Sequence, residues 1–266
     1  MYETIYHRPS SVDEAAALFA KGAESKYLAG GHTLIPVMKQ RLASPSDVID
    51  LGKITDLIGV EVSADAVTIK AATTHYDVAS SGTVQKAIPA LAYLASLIGD
   101  PAVRYRGTIG GSIANNDPAA DYPAAVLALG ATVKTNKRSI SADEFFKGLF
   151  STALDDGEII TAVSFPVQAK AGYSKFNHPA SRFALTAVFV AKTPAGDVRV
   201  AATGASQDGV MRVPAIEAAL TANWSAGALD SVNISAGGLM SDIHGSSDYR
   251  ANLIKVMAQR AVIAAG

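Results

Sequence analysis

Two segments of this sequence combine glycine pairs with hydroxyl side chains, a pattern suited to gripping phosphate. The first, Ala29-Gly30-Gly31-His32-Thr33, lies between a short strand read at residues 26–29 and a helix expected over about 34–42. Glycines at such a junction let the backbone turn sharply and bring bare N–H groups against a ligand. The helix that follows adds donors and a partial positive charge, so the junction can hold a phosphate or pyrophosphate. An isolated Gly-Gly pair equally serves a tight turn.

The second segment runs from Arg104 to Pro118 and includes Gly107, Thr108, Ile109, Gly110, Gly111 and Ser112. It has no regular apolar period and reads as a long irregular connection. Inside a compact domain such a connection is functional or disordered. Ile109, Ile113 and Ala114 argue against disorder. Arg104 and Arg106 can meet phosphate or face solvent. Neither segment has the spacing of a dinucleotide fingerprint or a P-loop. Two separate glycine pairs instead suit a pyrophosphate clamped between two subdomains.

Other chemistries are poorly supplied. The chain has no cysteine among its 266 residues, which excludes disulfides, thiolate-held zinc and iron–sulfur clusters ligated by this chain. His7, His32, His75, His178 and His244 show no metal-ligand spacing, and neither a Ser–His–Asp set nor a carboxylate pair can be assembled. A net charge of -1 argues against nucleic acid or an anionic membrane as main partner. The apolar run at 184–191 is far short of the ~20 residues that span a bilayer. Residues 1–9 lack an apolar signal core. A soluble, cytoplasmic protein without membrane insertion is expected.

The elements that must carry the two segments follow from period and punctuation. Ser11 and Glu14 form a capping box for a first helix ended by Gly22. With strands at 26–29 and 48–51, residues 1–52 read as a small β–α–β unit. Strands are expected at 66–72, 131–135 and 159–165, with helices near 85–98 and 123–129. Asp155-Asp156-Gly157 reads as a hairpin-like turn into the last of these strands. After Pro166, strands at 173–177, 185–192 and 198–204 form an antiparallel meander, the last two joined by the turn Pro194-Ala195-Gly196-Asp197. Helices at 214–222, 229–239 and 249–265 complete a C-terminal α+β domain beginning near 169.

Ala29-Gly30-Gly31-His32-Thr33 with Leu34-Ile35-Pro36 and Lys39, and Thr108-Ile109-Gly110-Gly111-Ser112 continuing to Asp117-Pro118 and Asp121, resemble the two FAD loops of the medium subunits of molybdenum hydroxylases. This is the carbon monoxide dehydrogenase and xanthine dehydrogenase family. The likeness extends from Tyr6-His7-Arg8-Pro9 through Gly99-Asp100-Pro101 to Asp242-Ile243-His244-Gly245 and Tyr249-Arg250. The resemblance implies an α+β chain with the FAD-binding fold of the vanillyl-alcohol oxidase and xanthine dehydrogenase type. Its parts would be subdomain 1 at 1–52, subdomain 2 at 53–168 and the C-terminal domain at 169–266.

It also implies non-covalent FAD. Backbone at 29–33 and 108–112 would hold the diphosphate, helped by the hydroxyls of Thr33, Thr108 and Ser112. Asp121 would bond ribityl or ribose hydroxyls, and Ile160 would present backbone to the adenine. Lys175 and the loop to Phe183 would lie by the isoalloxazine, with Phe183 where some relatives carry Tyr. His32 is the position where a covalent flavin link would form, as in other branches of the fold. The implied partners are a large molybdopterin subunit and a small subunit with two [2Fe–2S] clusters, in a dimer of heterotrimers. Electrons would pass from the clusters through FAD to an external acceptor. A self-contained flavin oxidase and a nucleotide-binding scaffold are the rival classes.

Overall fold

A computed structural model describes all residues from Met1 to Gly266. Strands β1 (Ile5–His7), β2 (Ser25–Leu28) and β3 (Asp47–Asp50) form a parallel sheet in the order β1-β3-β2. Helices α1 (Val12–Phe19) and α2 (Leu34–Lys39) make the crossovers. Ser11 caps α1 by accepting the Glu14 N–H at 3.1 Å. The returning Glu14 carboxylate binds the N–H and hydroxyl of Ser10, one residue earlier than a standard capping box. Ala15, Ile49, Leu51, Ile54 and Leu57 form a small core that Ile159, from much later in the chain, completes.

The middle of the chain builds a five-stranded sheet from β4 (Val60–Val62), β5 (Ala66–Lys70), β6 (Thr132–Thr135), β7 (Ser139–Ser141) and, after two short strands, β10 (Ile160–Pro166). Its order is β4-β5-β10-β6-β7, every pair antiparallel. Asp155-Asp156-Gly157 is a turn, with Glu158 N–H bonded to the Asp155 carbonyl, but no hairpin. The short strands before it, β8 (Phe146–Gly148) and β9 (Ser151–Thr152), pair with each other while β10 pairs elsewhere.

The helices of this region are α3 (His75–Ser80), α4 (Gly82–Ala87), α5 (Pro89–Ser96), α6 (Pro101–Arg104), α7 (Ile109–Asn115), α8 (Tyr122–Ala128) and α9 (Ala142–Phe145). The single helix expected near 85–98 is split at Ile88-Pro89, because a proline N1 forces the preceding residue out of helical geometry. The expected irregular run at 104–118 is largely helical. Asp100 and Thr108 cap α6 and α7 with their side chains, starting helices that the glycines alone would not favour. All seven residues of α8 are buried.

Beyond Pro166, β11 (Lys170–Asn177), β12 (Ala184–Lys192), β13 (Val198–Ser206) and β14 (Gly209–Arg212) form an antiparallel meander in chain order. The apolar run at 184–191 is β12, buried on both faces. Ala187, Phe189 and Ala191 point into the core shared with the middle helices. Val188 and Val190 point the other way, onto α10 (Pro214–Ala222) and α11 (Ser247–Ala265). A strand sandwiched between helical layers has no polar face to alternate. The change near 169 is therefore a change of sheet within a continuous core. The helix expected over 229–239 is absent: a 3-10 turn spans Ala226–Leu229 and irregular chain follows, since Asp230, Asn233 and two glycines interrupt it.

Arg250 fastens α11 to this sheet. Its guanidinium, 2% exposed, donates to the carbonyls of Leu185 and Gly204 and to Asp242 Oδ2, each at 2.7 Å. Arg250→Ala would take this donor from the buried Gly204 carbonyl and loosen the ties at Leu185 and Asp242, and should cost about 2 kcal/mol. A urea midpoint in the variant equal to that of the parent would contradict this.

Candidate functional site

Between the parallel sheet and the middle sheet runs a cavity of about 580 Å³, within the usual range for cofactor sites. The first glycine segment forms one wall. None of the backbone N–H groups from Ala29 to Thr33 meets an acceptor within the chain. Gly31 has φ +76, a left-handed turn that an L side chain resists. A row of five unpaired N–H groups is a ready acceptor site for anionic oxygens.

The second glycine segment works differently. Its N–H groups are already used: Ile109 to the Thr73 carbonyl, Gly110 to Ala71, Ser112 to Thr108, and Gly111 to the Thr108 hydroxyl. The expectation that backbone at 109–112 offers free donors is corrected accordingly. What the segment supplies is close approach and hydroxyls. A Cβ at Gly110 would lie 2.6 Å from that of Ala71, just past the end of β5, so the helix can seat there only with glycine. A Cβ at Gly111 would fall 2.9 Å from the Thr108 hydroxyl and 3.4 Å from Ala29 Cβ, in the gap between the segments. The Thr108 and Ser112 side chains stand on that gap, and both residues line the cavity.

The segments also touch directly. A Cβ on Gly30 would collide with the Arg106 carbonyl and Gly107 Cα. Arg104 turns away from any phosphate and donates to the carbonyls of Ile98 and Gly99 at 3.1 and 2.9 Å. Thr73 and Thr74 are structural: Thr73 bridges Gly59, and Thr74 caps α3. After α7, Asn116 takes a left-handed φ of 44 and its amide donates to the carbonyls of Gly148 and Ser151. The Thr203 hydroxyl, on the carbonyls of Pro118 and Ala120, then fixes the segment leading to Asp121.

Of the residues read from the sequence, Ala29, Gly30, Gly31, His32, Thr33, Thr108, Gly110, Gly111, Ser112, Asp121 and Ile160 line the cavity, as does Phe183. Ile109 and Lys175 do not. Ile109 is fully buried in the core. Lys175 sits behind Asp121, its Nζ 2.9 Å from Oδ1, and its side chain is 1% exposed. Tyr173 donates to the same carboxylate at 2.5 Å. Burial pushes the Asp121 carboxyl up, against the pull of Lys175 and the Tyr173 hydroxyl.

Sequence reasoning missed another part of the cavity wall, to which Leu51, Leu57, Leu154, Glu158 and Ile159 contribute. Leu51 and Leu57 sit on 3-10 turns after β3, which carry no helical or strand period. Glu158 accepts from Arg138 Nε and Nη2 at 3.1 and 2.9 Å and from the Thr135 hydroxyl at 2.6 Å. The Arg138 bond, chiefly, holds its carboxyl down at about 2. Its stabilising contribution is complete above pH ~4.5 and is lost as pH falls toward 2. Glu158→Gln should lower stability by about 2 kcal/mol at neutral pH and flatten the acid limb of the stability profile. Parallel urea-midpoint profiles from pH 6 to 3 would refute the assignment.

The cradle fits a dinucleotide. It has a donor row and an apposed glycine helix at its waist, and an apolar slot at one end. Residues 1–168 match the family model described as the FAD binding domain in molybdopterin dehydrogenase. The chain is 36% identical to the nicotine 6-hydroxylase medium subunit of Paenarthrobacter nicotinovorans, over 98% of this chain and 96% of that one. It is 35% identical to the carbon monoxide dehydrogenase medium chain of Afipia carboxidovorans, over 97% and 94%. The fold matches the crystal structure of Cu,Mo-CO dehydrogenase in its cyanide-inactivated form with a TM-score of 0.89 and 32% identity, covering 100% of this chain and 98% of that one. Quinoline 2-oxidoreductase from Pseudomonas putida 86 matches at 0.87 and 29%, covering 99% and 96%. With that cradle and these likenesses, the chain belongs to the FAD-binding medium subunits of the molybdenum hydroxylases, oxidoreductase components whose FAD-binding fold it shares.

Proposed function

We propose that this chain is the flavin relay of a three-subunit molybdenum hydroxylase. It holds FAD without a covalent bond, receives electrons from the [2Fe–2S] clusters of a small partner subunit and delivers them to an external acceptor. The observation that carries the reading is the row of unpaired N–H groups at 29–33 facing the glycine helix at 108–112. Residues 1–52 and 53–168 would supply the two sides of the clamp, and 169–266 the support behind it.

In this reading the N–H groups of 29–33 bind the diphosphate, and the hydroxyls of Thr33, Thr108 and Ser112 add donors. The Ile160 backbone meets the adenine in the apolar slot, and Phe183 borders the flavin. Asp121 meets the cofactor only with acceptor capacity left over from Tyr173 and Lys175. Lys175 acts through Asp121 rather than by contact. Bound FAD supplies a carrier that accepts and releases electrons.

The acids on the cavity wall are all engaged. Asp121 is paired, Glu158 is clamped by Arg138, and Asp117 accepts the Ala119 N–H at 2.8 Å. A wall on which every carboxylate is already engaged supports a relay over a self-contained oxidase. Substrate oxidation then belongs to a large molybdopterin subunit. We place the assembly, a dimer of heterotrimers, in the cytoplasm.

Gly111→Val should weaken FAD binding at least 100-fold with the fold intact, because the added methyls enter the gap between Ala29 and Thr108. Near-parental flavin content would exclude this gap as the diphosphate site. Acid precipitation of the holoprotein should release all flavin to the supernatant; flavin retained on the polypeptide would restore His32 as an attachment point. Purified alone with FAD and kept anaerobic, the chain should not have its flavin bleached by carbon monoxide, nicotine or quinoline. Reduction at a catalytic rate without another protein would establish the oxidase instead.

A further inference from the structure

His75 is a buried titratable group of the cavity wall that the reading above leaves without a task. It opens α3, and its own N–H is bonded to the Gly107 carbonyl at 2.9 Å, which delivers the ring to the second glycine segment. The residue is 5% exposed, and its Nδ1 is buried with no hydrogen-bond partner. Nε2 also bonds nothing within the chain, yet it is not shut away as Nδ1 is. A Cβ on Gly107 would come within 2.5 Å of it, so glycine at 107 makes room for this edge of the ring. Both His75 and Gly107 line the cavity.

The tautomer follows from these surroundings. A neutral imidazole carries one N–H, and a buried orphan donor is costlier and rarer than an orphan lone pair. The proton therefore belongs on Nε2, leaving Nδ1 as a bare lone pair against the core and the Tyr122 ring, 5.4 Å away between centroids. Protonation at Nδ1 is opposed first by burial and then by His32 and Arg104, which together hold the ring's pKa at about 3. The group is a fixed, uncharged, single donor throughout the physiological range.

We propose that His75 is a cofactor-binding residue that donates its Nε2–H across the face of Gly107 to an acceptor oxygen of bound FAD. This rests on the FAD reading above. The ring edge faces Gly107, and the Val103 carbonyl borders the same glycine. It adds a side-chain donor where the backbone N–H groups of the second segment are already committed.

The test uses the full-length chain, with FAD and ADP titrated separately and binding followed by flavin fluorescence or calorimetry. His75→Leu should raise the FAD Kd about tenfold, one neutral hydrogen bond's worth. His75→Gln, whose amide nitrogen reaches as far as Nε2, should stay within about threefold. If ADP affinity falls in step, the acceptor is a phosphate oxygen; if FAD alone is affected, it lies in the flavin half. Should the Leu variant misfold, ring ¹⁵N NMR of the parent protein decides. A proton on Nε2 and a shift of that resonance on adding FAD are expected, whereas a proton on Nδ1 or an unmoved resonance overturns the assignment. A Leu variant that folds and binds FAD as tightly as the parent overturns it while leaving the FAD reading intact. A parent chain that takes up no FAD at all overturns both.

Discussion

The contact between Gly30 and the Arg106–Gly107 peptide brings the two halves of the clamp together backbone to backbone, and the rest of the site depends on it. No side chain fits there, because a Cβ on Gly30 would overlap the opposing backbone. Holding two backbones this close fixes the width of the cavity at its waist. It sets the free N–H groups of 29–33 opposite the hydroxyls of Thr108 and Ser112, so donors converge on one small volume from both sides. Convergence of that kind is what binds a compact, doubly charged group, and one helix N-terminus could not provide it. The contact also explains why the second segment can spend its own N–H groups on Thr73, Ala71 and Thr108: its task is to hold position.

That position is secured from behind. The glycine helix rests on Ala71, just past β5, and its exit through Asn116 is held by the carbonyls of Gly148 and Ser151. Thr203 on β13 then grips Pro118 and Ala120, tying the C-terminal sheet to the strip that ends in Asp121. The Tyr173–Asp121–Lys175 cluster crosses the same boundary from β11. A sheet outside the clamp thus stiffens it, using buried polar groups that are satisfied at both ends. β12 carries the apolar side of this bargain by facing two cores at once.

Much of this was legible in the sequence where a residue's chemistry is local. The glycine pairs, the Ser11 cap, the meander with its Pro-Ala-Gly-Asp turn and the long terminal helix all announce themselves through type and spacing. The glycine-rich run at 104–118 misled, since low helix propensity was set against two side-chain caps and a packing surface at Ala71 that only the fold reveals. Residues 229–239 misled in the opposite sense: their apolar spacing lacks the helix stops and starts that would make it decisive. Lys175 is the instructive case in the site. The family resemblance put it beside the flavin, but its charge is taken up by the Asp121 carboxylate and it does not line the cavity. His75 and Glu158 left no signal at all, because burial and partnership across distant strands have no period to detect.

The electrostatic character of the site follows from the same arrangement. Every carboxylate on the cavity wall is neutralised by a cation or by N–H donors, and Arg104 is spent on its own turn. His75 is kept uncharged by burial. Alongside the exposed Lys26 and His32, the wall therefore offers dipoles, hydroxyls and a neutral imidazole. Fixed dipoles cost no reorganisation when the charge on a bound group changes, whereas titratable side chains would take up or release protons in response. A carrier that cycles between oxidation states is best held by a site that does not titrate with it. In the proposed relay that carrier would be held largely by backbone, threonine and serine, with acid–base work at carbon left to another subunit.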